Sequence, residues 1–310
     1  MAVLLLHGLA GCLGFSSTAR AGDSDAPPGY RELFDGVSLV GWHTEPRLPV
    51  PKTATEFLTA QEEGIPPPEP KNKLAEAQTK AKGRWEVKEG AITGGQDRRR
   101  FKHDPDGESW GLGSWLMTDE LFGDFELRLD AKPDWPCDTG IYVRSTRLGQ
   151  GFQILLDHRG DDISGTGGGI GFLYLRGIGG MLVNPWNFRW TLGANGLPQS
   201  VQLLTGAGES SGLKYAAGTD AFRKAWHMND WNNFRISVVG ELPHIKVWIN
   251  KVLICDCDTA EIHHPAYDPT AVKKLLGTRG HIALEVHDGP PWRWGQGKVC
   301  RWKNVFIRPL

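Results

Sequence analysis

The chain has 310 residues, 23% charged and 40% hydrophobic, with a formal net charge of −1. That balance describes a globular protein and excludes the basic surface that nucleic acid or an acidic membrane would require. Its 40 Gly, 20 Pro and 13 Trp favour turns, short strands and aromatic-lined surfaces over long helices.

Residues 1–21 read as a signal peptide: an apolar run from Val3 to Phe15, then Ala19-Arg20-Ala21 as a cleavage pattern. Leu9-Ala10-Gly11-Cys12 also fits a bacterial lipoprotein box that would leave Cys12 lipidated. Ordinary export to the periplasm or exterior is the preferred reading, because the run is too short to span a bilayer. A linker over 22–29 leads into one folded domain over 30–310. Its first insertion, 46–82, is rich in Pro, Glu and Lys and reads as a solvated excursion with one exposed helix over 72–82. A small hairpin follows at 85–93, with Glu89-Gly90 at its turn. Strands are expected at 114–118, 125–131, 140–144 and 152–157, the second alternating apolar and polar residues without a break. A second insertion, 160–213, is Gly-rich, but its Gly165–Gly169 run does not fit a dinucleotide-binding fingerprint. Further strands are expected at 233–239, 245–250, 252–255, 281–287 and 299–308. Between them Asp268, Pro269 and Gly277 mark the cap, first turn and stop of a short helix. Many short strands with one or two short helices give an all-β class, an antiparallel jelly-roll sandwich. No later segment is apolar enough to cross a membrane. Cys137, Cys255, Cys257 and Cys300 lack the paired spacing of a zinc site and read as structural or free.

Nine segments then align with one family in order: YRELFDGVSLVGW, GRWEVKEGAITGG, LFGDFELRLDAK, DTGIYVR, GFQILLD, DWNNFRISVVG, VWINKVLI, GHIALEVHDG and WKNVFIRPL. They resemble the 3-keto-disaccharide hydrolase domain family over 30–310. The resemblance implies a fold of the concanavalin A-like lectin/glucanase type and action on 3-keto sugars. Three departures stand out: Glu285 where the family usually has Gln, Asp138-Thr139-Gly140 in place of Asn-Ser-Gly, and Asn250-Lys251 at a hairpin turn.

Strand parity suggests where a site would lie. Side chains alternate faces, so Phe125/Leu127/Leu129, Ile141/Val143, Phe152/Ile154/Leu156 and Ile282/Leu284/Val286 share a core. If the strands belong to one sheet, Glu126/Arg128/Asp130, Tyr142/Arg144, Gln153/Leu155/Asp157 and His281/Ala283/Glu285/His287 share the other face. Arg128 and Asp130 fit an ordinary wet face equally well. In a 3-keto sugar the carbonyl acidifies the proton at C2, and loss of that proton expels the substituent at C1. His287 and Glu285 are the candidate base and acid, and Arg144 the candidate partner of an enolate or of Asp157. Glu126, Tyr142, Gln153, Trp186 and Trp292 are candidate sugar contacts. The spacing establishes no cofactor; a divalent metal is a conceivable electrophile and would take Asp157, Glu285 and His287. The resulting expectation is a secreted enzyme cleaving 3-keto-glycosides, with a non-catalytic glycan-binding module as the alternative. An ordinary retaining glycosidase is disfavoured, because the strand over 126–130 lacks the E-x-D-x-x-E pattern.

Overall fold

The alternating strands pair as two antiparallel sheets. In the computed structural model, residues 26–99, 110–158, 168–206 and 208–310 are described. The signal-peptide and lipobox expectations lie outside those residues, as does most of the Gly165–Gly169 run. The seven-stranded sheet runs Leu182–Val183, Gly169–Arg176, Gly151–Asp157, Gly140–Ser145, His281–Val286, Ser114–Thr118, Trp42–Pro46. The nine-stranded sheet is centred on Phe125–Pro133, flanked by Asn232–Val239 and Val299–Pro309. The apolar sets from both sheets meet between them: Leu127, Leu129, Ile141, Val143, Phe152, Ile154, Ile236, Val247, Ile282, Leu284 and Val286 are all fully buried. Each such side chain contributes about 1.5–3 kcal/mol relative to exposure, which is why alternation fixes the register. The protein is an all-β jelly-roll sandwich.

The same pairing separates two groups that parity had joined. Phe125–Pro133 lies in the nine-stranded sheet, so Glu126, Arg128 and Asp130 face outward on the far side of the sandwich. There Glu126 takes a hydrogen bond from Tyr30 and stands within 3.5–3.6 Å of Arg128, Arg235 and Arg308. Glu126 is therefore no sugar contact of the site described below.

The described residues contain four short α-helices where one or two were expected. Pro269–Leu276 matches expectation, with Asp268 accepting from the backbone N–H of Thr270 and Ala271, and Gly277 at φ 61° closing it. The 46–82 segment is exposed throughout 61–73, yet its two helices are tied to the rest of the domain. Its Ala54–Glu62 helix opens on a capping box between Thr53 and Glu56. That helix is tied to Pro269–Leu276 by Glu62–Lys274 at 2.5 Å. Its second helix, Lys73–Gln78, is shorter than the predicted 72–82 and is capped by Asn72. Gln78 is buried and locked to Gly113, donating to its carbonyl at 2.8 Å and accepting from its N–H at 3.1 Å. The segment is thus a strap held across one face of the sandwich. Within 160–213, Gly169–Arg176 is a full sheet strand, and Trp186–Leu192 pairs with Pro198–Thr205 as a hairpin. The four cysteines are free and buried. No helix among the described residues is long and apolar enough to cross a membrane.

Candidate active site

The outer face of the seven-stranded sheet carries a closed network of polar groups. Gly140–Ser145, Gly151–Asp157 and His281–Val286 are neighbours, with Gln153 opposite Tyr142 and Ala283 opposite Tyr142 on its other side. Tyr142 donates to Gln153 at 2.8 Å, and Gln153 donates to Glu285 at 2.7 Å. Gly140 permits this arrangement, because a Cβ there would lie 2.5 Å from the Gln153 amide nitrogen. Trp115 and Tyr142 meet edge to face at 4.6 Å beneath the network, with the Arg176 guanidinium 5.1 Å from the Trp115 ring. Four of the expected site residues are therefore brought together: Tyr142, Gln153, Glu285 and His287.

Arg47 completes the network from the strap. It follows Pro46, the last residue of an edge strand, and its fork reaches three partners. Nε donates to Glu285 at 2.7 Å, Nη1 to Asp288 at 2.5 Å, and Nη2 to the His287 Nε2 at 2.8 Å. Because the Asp288 carbonyl can only accept, His287 Nδ1 carries the proton that bonds it at 2.6 Å. The Nε2 lone pair therefore faces Arg47. Gln96 donates to the His287 carbonyl at 2.6 Å and fixes the end of the strand. Glu285 is wholly buried, so it serves as the anchor of Arg47 rather than as an accessible acid.

Asp138 and Arg293 close the other side. Asp138 Oδ2 lies 3.5 Å from His287 Nε2 and 3.5 Å from Arg293 Nε, while Arg293 Nη1 lies 3.1 Å from His287 Nε2. The Asp138 N–H donates to the Arg293 carbonyl at 3.1 Å, and the neighbouring Thr139 hydroxyl donates to the Glu285 carbonyl at 2.6 Å. These bonds hold the Asp138 loop against the strand that carries Glu285.

Burial and charge separate the titrations. Desolvation raises Asp138 to about 7, against the pull of Arg293. His287 is lowered by burial and then by Arg47, so the imidazole is neutral near pH 7. Burial would raise Asp288, but Arg47 and His287 outweigh it and hold the carboxyl low. Burial also works against the charge of Arg47, yet Asp288 and Glu285 raise its pKa and keep it protonated. A carboxylic acid near neutrality thus stands beside a neutral imidazole, which suits proton transfer in both directions.

The remaining expected residues lie elsewhere. Arg144 sits at φ 53°, which breaks the strand alternation, and its buried guanidinium donates to the Gly240 carbonyl at 3.0 Å and to Asp124 at 3.3 Å. It is a structural tie between loops. Asp157 is buried at the end of its strand opposite Gly169, past a register shift at Ile154/Leu156. Among the described residues, no group of three or more His, Cys, Asp or Glu is arranged to hold a metal ion. The trio Asp157, Glu285 and His287 is therefore not assembled as ligands, and the Arg47 guanidinium occupies the place between Glu285 and His287. Trp186 packs against the core at the start of its hairpin, whereas Trp292 is half-buried beside Arg293, 5.4 Å from the guanidinium to the ring. Arg47, Asp138, Asp288 and Arg293 were missed. All four lie on loops, where periodicity gives no signal; only Asp138 was marked, as a departure from the family's Asn.

The model of the 3-keto-alpha-glucoside-1,2-lyase-like domain matches residues 29–308. The chain belongs to this family. No curated protein matches the chain in sequence. Among solved structures, this lyase-like domain resembles a putative glycosyl hydrolase from Parabacteroides distasonis at 19% identity. That alignment covers 65% of this chain and 90% of the other, with a TM-score of 0.39. The carbohydrate-binding module CBM66 from Bacillus subtilis aligns at 12% identity, covering 73% and 91%, with a TM-score of 0.36. A β-glucanase from Bacillus licheniformis aligns at 10% identity, covering 73% and 82%, with a TM-score of 0.36.

Proposed function

We propose that this lyase-like domain cleaves 3-keto-glycosides by β-elimination, with His287 and Asp138 as the proton-transfer pair. The observation that carries the reading is their 3.5 Å contact, with Asp138 raised to about 7 and His287 lowered toward neutrality of charge. When the substrate's 3-oxygen takes up guanidinium donors, His287 Nε2 is uncovered and removes the C2 proton. Arg293, with Arg47 behind it, stabilises the enolate oxygen. Electrons from the C2–H bond form the C1–C2 double bond, the C1–O bond breaks, and protonated Asp138 gives its proton to the leaving oxygen. Water then adds across the double bond, hydroxyl to C1 and proton to C2, which completes a net hydrolysis. Family membership and the density of buried ionisable groups favour chemistry over simple sugar binding, for which amides and aromatics suffice.

The test is incubation of the purified protein with a 3-keto-glucoside and with its unoxidised parent, with and without chelator. Release of the leaving group from the keto form alone, lost in His287→Ala and Asp138→Asn, is the expected result. Cleavage of both forms at similar rates, or binding without turnover, overturns the reading.

A further inference from the structure

A cleft of about 580 Å³ opens beside the charged network and shares Arg47 and Asp288 with it. That size lies within the ordinary range of ligand sites, about 300–1,000 Å³. Its far wall is built by the strap. Pro49, Pro67, Pro68 and Pro70 offer ring carbons and no N–H, while Leu48, Leu74 and Trp110 supply further apolar surface. Of the polar side chains in the lining, Glu69 and Lys71 are exposed, and the others bond to the protein itself. Gln78 is doubly bonded to Gly113, the Asn72 oxygen caps the Lys73–Gln78 helix, and Thr79 donates to the Glu76 carbonyl. Arg47 is committed to Glu285, Asp288 and His287.

From this lining we infer that the cleft receives an apolar, flat aglycone, so that the substrates are 3-keto-glycosides of aromatic or alicyclic alcohols rather than disaccharides. The inference rests on the proposed function, since the site next door must hold the keto sugar. A second sugar would lay several hydroxyls against proline and leucine walls, and only the exposed Glu69 and Lys71 offer charges to meet them, which leaves most of those hydroxyls unpaired. A flat ring loses nothing there. It can lie on the proline ring faces and against Trp110, and burying it removes apolar area from water. The cleft's junction with the site at Arg47 and Asp288 is where the bond from sugar to leaving group would cross.

The experiment compares kcat/KM for methyl, phenyl and 2-naphthyl 3-keto-glucosides and for a 3-keto-disaccharide. An increase of about tenfold or more from methyl to naphthyl is expected, with the disaccharide below phenyl. In Ala75→Trp, which places an indole in the cleft from the Lys73–Gln78 helix, the naphthyl-to-methyl ratio should collapse toward one. Thr79→Trp serves if that variant does not fold. Equal rates for methyl and naphthyl, or preference for the disaccharide, overturn the aglycone assignment while leaving the elimination reading standing. If no substrate turns over, the functional reading fails, and 2-naphthol alone decides the cleft by fluorescence titration. Saturable binding lost in the Trp variant supports it, and no saturable binding overturns it.

Discussion

Replacing Arg47 by Met keeps most of the stem and removes the charge that lies between Glu285, Asp288 and His287. The Glu285 side chain is fully buried and that of Arg47 only 17% exposed, so solvent screens the pair little. At an effective dielectric near 20 and a charge separation of about 4 Å, their attraction is about 4 kcal/mol. Removing one partner of such a pair costs about 3–5 kcal/mol, because the other charge stays buried. Asp288 can turn toward water, and Arg176 partly offsets the loss, which places the expected destabilisation near the lower end, about 3 kcal/mol. The double variant Arg47→Met/Glu285→Gln should recover at least about half of it, since the uncompensated charge is then gone. Urea denaturation followed by tryptophan fluorescence gives both numbers, with a second probe to check that the transition is two-state. A loss below about 1 kcal/mol in the single variant, or a double variant that is simply additive, refutes the argument that Arg47 is the counter-ion of the buried floor.

Asp138 sets a pH dependence that can be read twice. Its folded pKa of about 7 lies above the ordinary 3.8, so the folded protein keeps a proton that the unfolded chain releases. Stability should therefore fall as pH rises from about 4 to about 7, by at most about 4 kcal/mol, and Asp138→Asn should abolish that slope. His287 acts oppositely. Its folded pKa is depressed, so its contribution is intact above 6.5 and is lost as pH falls below it, and the Asn variant should leave this acid limb exposed. The same Asn variant should lose kcat by about 10²–10⁴ and the pH limb near 7, measured on a 3-keto-glucoside. Arg144→Met should cost about 1–3 kcal/mol in denaturation by stranding the Gly240 carbonyl, with kcat/KM of the folded protein unchanged. Gly140→Ala should drive the Gln153 amide off its partners and lower kcat about ten- to a hundredfold in steady-state assays, while the far-side hydrogen bonds of Glu126 stay intact by NMR.

How far the site could be read from residues alone followed strand geometry. Tyr142, Gln153, Glu285 and His287 come together on one face, because their strands are neighbours and a period of two survives between them. Glu126 failed at the one assumption parity cannot test, that two strands share a sheet. Arg144 failed because a single residue at positive φ turns its side chain out of the alternation. The Ala54–Glu62 helix gives little local signal, since it is held by its capping box and by contacts with a distant helix, not by a strong apolar stripe. Arg47, Asp138, Asp288 and Arg293 converge only once loops from three parts of the chain are folded. Their chemistry is set by burial, which no local pattern reports.

The 46–82 segment begins with the cation that makes the buried Glu285 and the half-buried Asp288 tolerable and continues into the wall of the neighbouring cleft. One stretch of chain thus decides both whether the floor is electrically neutral and what shape of leaving group fits beside it. Trimming the segment to a minimal β-sandwich would strip the counter-ion together with the wall. An attempt to retarget the protein has room to vary Leu48, Leu74 or the prolines, but Arg47 must stay in place as the hinge between selectivity and charge balance.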